Sequence, residues 1–191
     1  MTVDMPYPTL PTRRPRRLGI EAHTEFVATL IAELRSSVTS LKADPLGGAD
    51  FDRRAGDVVR LVRLLDAIDG PWSPGRLQPI SLPFAVVEAV KDLGLPATVS
   101  GQWGEEQFVG IPEAVQTGIE LLLLALSAGE APVSVRIGDD RTVVIDGTMD
   151  LADPRRNWQL RCARRVLEGE RCRVRLNPVG GGFRVELRVL R

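Results

Sequence analysis

Apolar residues recur at a helical period along the first third of the chain. Ile20, Val27, Leu34 and Leu41 stand seven apart, and Leu30, Ile31 and Val38 fill between them. Residues three, four and seven apart share one face of a helix, so the pattern predicts a helix over Leu18–Lys42. Asp44-Pro45 and Gly47-Gly48 punctuate its end. A second helix is expected from about Asp50, with Phe51, Val58, Val62, Leu65 and Ile68 at helical spacing and Gly70-Pro71 stopping it. Two such helices with a short connection predict an antiparallel hairpin. One hairpin holds too little core to be stable alone, so its stripe needs another surface. Pairing with a second copy would make a four-helix bundle.

From Arg76 the pattern becomes mixed. Leu77–Ser81 is a short strand candidate. Pro83–Leu93 reads as a helix, with Pro near its start and Gly94 just past its end. Thr98–Trp103 alternates weakly, and Pro112–Ala128 is a strong helix ended by Gly129. Val133–Ile137 and Thr142–Ile145 are β-branched runs flanking Gly138-Asp139-Asp140, which predicts a hairpin. Arg155–Glu168 is helical, and Arg171–Leu176 and Phe183–Leu190 alternate as strands around Gly180-Gly181-Gly182. The expected fold class is α+β: a helical hairpin, then a sandwich of one mostly antiparallel sheet with three helices on one face. Leu121–Leu124 cannot all lie on one helix face, so that helix must be buried on more than one side.

The chain has 191 residues and a mass of 20.9 kDa, which suits one ordinary domain or two small ones. The pattern divides it into a basic, Pro-rich arm (1–17) expected to be extended and mobile, a hairpin domain (18–72) and an α/β domain (73–191). An apolar fraction of 43% with 26% charged residues is globular rather than disordered. No apolar run approaches the roughly 18 residues a membrane span needs. The N-terminus has no apolar region of the secretory kind, so a soluble cytoplasmic protein is expected. Acidic and basic residues balance at 25 each, so no global field draws the chain to nucleic acid or membrane. The balance is local in neither direction: 1–17 holds four Arg against one Asp, and 155–175 holds eight Arg against two Glu. Two cysteines, Cys162 and Cys172, read as reduced thiols, and metal ligands are not grouped anywhere. One histidine, His23, limits histidine chemistry to that residue.

Ala32-Glu33-Leu34-Arg35-Ser36-Ser37-Val38-Thr39-Ser40-Leu41 resembles the H-E-L-R-T-P-L-T-S-I box of sensor histidine kinases, with Glu33, Leu34, Arg35, Thr39 and Ser40 identical. The resemblance continues in order through Arg60–Asp66 (second dimerisation helix) and Leu77–Leu93 (start of the ATPase-like domain). Gln116–Ser127 resembles the helix of the asparagine box, Val133–Asp146 the strand pair ending in the adenine-binding aspartate, and Arg164–Leu190 the closing helix and strands. It implies a dimeric hairpin bundle followed by an ATPase-like α/β sandwich, and a response-regulator receiver domain as partner.

The departures fall on the chemistry. Ala32 replaces the phosphoacceptor histidine and Ser37 the proline. The two asparagines that hold magnesium in the family read Glu120 and Leu124, and Asp146-Gly147-Thr148-Met149-Asp150 keeps the acid of the Asp-x-Gly-x-Gly turn but misplaces its glycines. Too few residues separate Asp150 from Trp158 for the lid over the nucleotide. Without metal ligands or phosphate-cradling amides, the groups that stabilise phosphoryl transfer are missing, so no cofactor is expected. The expectation is therefore a catalytically silent, dimeric pseudo-histidine-kinase or degenerate phosphotransferase, a signalling or scaffold module that binds a response-regulator receiver or another protein through Ala32, Arg35 and Ser36. His23 is placed on the core side of the first helix, as a core residue or a relocated phosphoacceptor. Two other readings are carried. Glu33 and Ser36, one turn apart, would form a phosphatase-like pair resembling the family's E-x-x-T motif. Alternatively, Arg13, Arg14, Arg16 and Arg17 would join the arginines of the last helix in a DNA-associated regulator.

Overall fold

Leu30 and Leu61 meet where the two long helices pack along each other, and neither exposes more than 2% of its surface. These helices are α1 (Ile20–Ala43) and α2 (Ala49–Asp69), within two residues of the spans that the apolar period predicts. The computed structural model describes residues 20–43, 49–69, 77–102, 104, 106–128, 132–138 and 141–190. The basic arm and the connections at 44–48 and 70–76 lie outside them. Leu34 and Leu65 pack against the same cluster as Leu30 and Leu61, and that cluster is continuous with the α/β core. Ile31, Phe51, Val59 and Val62 remain exposed on the hairpin.

The α/β part runs β1 (Gln78–Ile80), α3 (Leu82–Asp92), β2 (Ala97–Gly101), β3 (Phe108–Gly110), α4 (Pro112–Leu126), β4 (Val133–Ile137), β5 (Thr142–Gly147), α5 (Pro154–Gly169), β6 (Cys172–Val179) and β7 (Gly182–Val189). Five strands form one sheet in the order β2-β4-β5-β7-β6, with β2 parallel to β4 and every other pair antiparallel. One expectation is corrected here. The segment at Leu77–Ser81 does not join that sheet; β1 pairs with β3 in a separate two-stranded ribbon. The sequence pattern misses β3 because three residues, Phe-Val-Gly, are too few to show a period.

Alternation sets the layers. Val133, Val135, Ile137, Val143, Ile145, Val185, Leu187, Cys172 and Val174 point into the core, where helices α3, α4 and α5 supply the other wall. Their neighbours Arg136, Arg173, Arg175 and Arg188 are exposed on the opposite face. Helix α4 carries the centre. It touches α2, α3 and α5, and Leu121, Leu122 and Leu123 are buried while Leu124 is half-buried. Four consecutive leucines are accommodated because this helix has neighbours nearly all round. Pro83 and Pro112 open α3 and α4 where a missing N–H costs nothing.

The closest approach in this layer is at Gly118, where an added Cβ would stand 2.9 Å from Leu167 Cγ, a fully buried atom of α5. Gly118→Ala should therefore destabilise the fold by about 1–3 kcal/mol, the usual cost of overpacking. Gly169→Ala, where an added Cβ meets nothing within 4 Å, should leave the urea midpoint unchanged or raise it.

Candidate functional site

Glu120 lies on α4 with only 4% of its side chain exposed, and it is not available to a ligand. Arg60 of α2 donates from Nε to Glu120 Oε2 at 2.9 Å, and Arg63 Nη1 stands 4.0 Å from Oε1. Arg60 and Arg63 are one turn apart on α2, so both reach the same carboxylate. The chain of charges continues: Arg60 is 3.6 Å from Asp57, and Asp57 also receives Arg155 from the first turn of α5. Three helices are thus tied by one network, Arg155–Asp57–Arg60–Glu120. A carboxylate this buried requires such partners, because an unpaired buried charge costs several kcal/mol.

One turn further on, Leu124 offers only its carbonyl. Arg156 of α5 donates to it from Nη1 at 2.7 Å, and Ser127 Oγ donates at 3.1 Å. A guanidinium at the last turn of α4 answers the negative end of the helix dipole. Residues 148–153 alone join β5 to α5. That link is held closely: Asp153 caps α5 by accepting from Arg155 N, Asp150 accepts from Ala152 N, and Asn157 Nδ2 donates to the Leu151 carbonyl. Gly147 has a structural task there. An added Cβ would lie 2.5 Å from the Leu126 carbonyl oxygen, so glycine lets β5 pass the end of α4.

Asp146 stands directly across the strand pair from Arg184, which donates to both carboxylate oxygens at 2.7 and 3.1 Å. Arg136, diagonal on β4, donates at 2.9 Å. The hydrogen bond from Arg184 holds the Asp146 carboxyl below its ordinary value, against a smaller opposing effect of burial, with the charges of Arg184 and Arg136 adding to the decrease. Glu170 behaves in the opposite sense. Burial raises its pKa, partly offset by the hydrogen bond it accepts at 2.8 Å from Ile111 N at the start of α4.

On α1, Ala32, Arg35 and Ser36 are exposed on one side, while Glu33 is half-buried. Cys162 of α5 is buried. Burial chiefly, with Glu33 adding, pushes that thiol up to about 12. Burial, with Glu170 adding, does the same at Cys172, also to about 12. Both thiols are therefore inert. His23 is in the first turns of α1, and its side chain is outside the described residues. The structure thus gathers Glu120 and Leu124 under arginines of α2 and α5, and sets Asp146 apart on the exposed side of the sheet. Of the arginines doing this, Arg60 and Arg184 were not singled out in the sequence as site residues, and Arg155 and Arg156 were read only as part of the arginine face of the last helix. The Asp57–Arg60–Arg63 spacing of three was the available signal.

Among the described residues no three His, Cys, Asp or Glu side chains cluster as a metal site, and no helix is long and apolar enough to cross a membrane. No protein-family model matches the sequence, and no curated protein matches it. The fold does match solved structures. The cytoplasmic segment of histidine kinase QseC aligns at a TM-score of 0.50 and 18% identity, over 76% of this chain and 96% of that one. A bacterial phosphotransferase aligns at 0.41 and 12% identity, over 92% and 100%, and a histidine kinase from Burkholderia phymatum STM815 at 0.46 and 15%, over 87% and 96%. The architecture is accordingly α+β of the histidine-kinase type, N-terminal helices followed by a mixed sheet packed with helices.

Two predictions follow from the ion pairs. Arg60→Ala should cost about 3 kcal/mol, near the low end for breaking a buried pair because Arg63 stays close to Glu120. Replacing Arg60 and Glu120 together by Met should restore most of that loss, read from a double-mutant cycle in urea. The second concerns pH. The folded-state pKa of Asp146 lies below 3.8, so its contribution is present above that value and lost as pH falls through the folded pKa. The folded-state pKa of Glu170 lies above 4.5, so its contribution favours folding below 4.5 and is lost as pH rises through the folded pKa. Asp146→Asn should then lower the urea midpoint more at pH 6 than at pH 2.5. Glu170→Gln should gain on the wild type as pH rises from 4 to 7.

Proposed function

We propose that this chain is a catalytically silent relative of the histidine kinases, working as a dimeric protein-binding module in two-component signalling. The observation that carries the proposal is the occupation of Glu120 by Arg60. In the family this position helps hold magnesium and the phosphates. Here a buried carboxylate already neutralised by guanidinium groups cannot serve a metal ion. Arg156 lies against the backbone of Leu124, and a six-residue link, 148–153, stands where the family has its lid. Both carboxylate oxygens of Asp146 already accept from Arg184, and Arg136 adds a third hydrogen bond, so an adenine amine would have to compete with two guanidinium groups. The residues present do not fit a magnesium–nucleotide complex, and no chemistry is routed through one.

What the fold retains is surface. Ala32, Arg35 and Ser36 are exposed on α1, in the positions that the resemblance assigns to receiver docking. The exposed apolar residues of the hairpin suit a second copy of it. Val59 and Val62 are each 49% exposed and one turn apart, and burying the exposed half of each would contribute roughly 1 kcal/mol. A closed dimer of hairpins would cover them in a four-helix bundle.

Calorimetric titration with Mg-ATP should show no binding tighter than about millimolar, a free energy of about −4 kcal/mol. A micromolar nucleotide site would contradict the proposal. In light scattering the chain should run at twice its mass, and Val59→Glu with Val62→Glu should halve it. A purified receiver domain of the same cell should bind the wild type, and Arg35→Glu should weaken that binding at least tenfold. Equal affinity for both would remove this face as the docking site.

A further inference from the structure

A groove of about 480 Å³ runs between α3, α4 and β1, with Arg63 of α2 also lining it. Its apolar wall is Phe84, 57% exposed on a helix whose neighbouring Leu82, Pro83, Ala85 and Val86 are all buried, together with Pro79. Its charge is acidic. Among the described lining residues Glu88, Asp92 and Glu113 stand against Arg63 alone, which already faces Glu120. Lys91 lies 3.9 Å from Glu88 and Gln116 donates to Asp92 at 3.5 Å, and both contacts are at the exposed surface. An exposed aromatic ring beside acidic groups suits an extended segment that combines prolines with arginines. Proline rings lie on aromatic faces in a preformed extended helix, and guanidinium groups reach the carboxylates and stack on the ring.

The chain itself carries such a segment. Residues 6–17 read Pro-Tyr-Pro-Thr-Leu-Pro-Thr-Arg-Arg-Pro-Arg-Arg, with four prolines, four arginines and no acid. Its reach is sufficient. Since α1 and α2 are joined by only five residues, 44–48, the start of α1 lies beside the end of α2 at Asp69. Arg63 is six residues before that end, about 9 Å along the helix. The fourteen residues from Pro6 to Gly19 extend to about 46 Å. We propose that residues 6–17 dock in cis into this groove, prolines against Phe84 and Pro79 and arginines toward Glu88, Asp92 and Glu113. Tethering through α1 presents the segment at an effective concentration of about millimolar, so contacts of modest strength hold it there.

The test uses the full chain with Thr9→Cys carrying a nitroxide. Cys162 and Cys172 are buried with thiols pushed up to about 12, so the introduced thiol is labelled alone. Nuclear magnetic resonance should show amide signals of Phe84, Glu88, Glu113 and Gln116 broadened by the label. Glu88→Lys with Glu113→Lys should abolish the broadening while the spectrum stays dispersed. On the wild-type surface, 1 M NaCl, where the screening length is about 3 Å, should reduce it at least twofold, and this arm of the test holds if the double variant does not fold. Absence of broadening, or broadening that neither salt nor charge reversal changes, would overturn the proposal. So would broadening that appears in a mixture of labelled unenriched chain and unlabelled ¹⁵N chain, since the segment would then occupy the groove of a second copy.

Discussion

The contact between Arg60 and Glu120 constrains the whole molecule. A glutamate at the centre of the most buried helix is tolerated only because α2 delivers a guanidinium to it, 2.9 Å away. That requirement fixes how the hairpin lies on the α/β layer, and the hydrophobic packing follows the same geometry. Leu30 and Leu61 join the cluster that also contains Leu121, Leu122 and Leu123. The ion pair supplies position more than net stability, because desolvating both charges offsets most of their attraction. Apolar burial supplies the stability, and the charges select one arrangement of it.

Arginine answers several of the fold's acceptors. Arg155 reaches Asp57, Arg156 covers the end of α4, and Arg184 and Arg136 close on Asp146. The composition, 23 Arg and 2 Lys, makes this the available cation. A planar guanidinium can satisfy two oxygens at once, as Arg184 does at Asp146, where an ammonium would act as a single point charge. Glu120, the Leu124 carbonyl and Asp146 are each held by internal arginines. Our account of a silent module rests on those contacts.

Much of the architecture was legible beforehand because its signals are local. The seven-residue period of α1, the proline starts of α3 and α4, and the β-branched runs of β4 and β5 each declare an element. The four leucines of α4 declared burial on several sides, and the structure provides α2, α3 and α5 as neighbours. The two-stranded ribbon was not legible, since β1 and β3 are three residues each and pair across twenty-seven intervening residues, 81–107. The site was half legible. Glu120 was recognised as a position out of pattern and Asp146 as a retained acid, but their partners stand far away in sequence, sixty residues for Arg60 and thirty-eight for Arg184. Nothing in a one-dimensional pattern states which of 23 arginines meets which carboxylate.

If the Arg60–Glu120 contact joins hairpin and α/β layer into one unit, native-state hydrogen exchange will show it most directly. The slowest amides of α2, those around Leu61, should exchange with the same opening free energy as those of α4 around Leu122, and both should fall together in Arg60→Met. Slow α4 amides beside α2 amides that open several kcal/mol more easily, with α4 unmoved by Arg60→Met, would contradict the account.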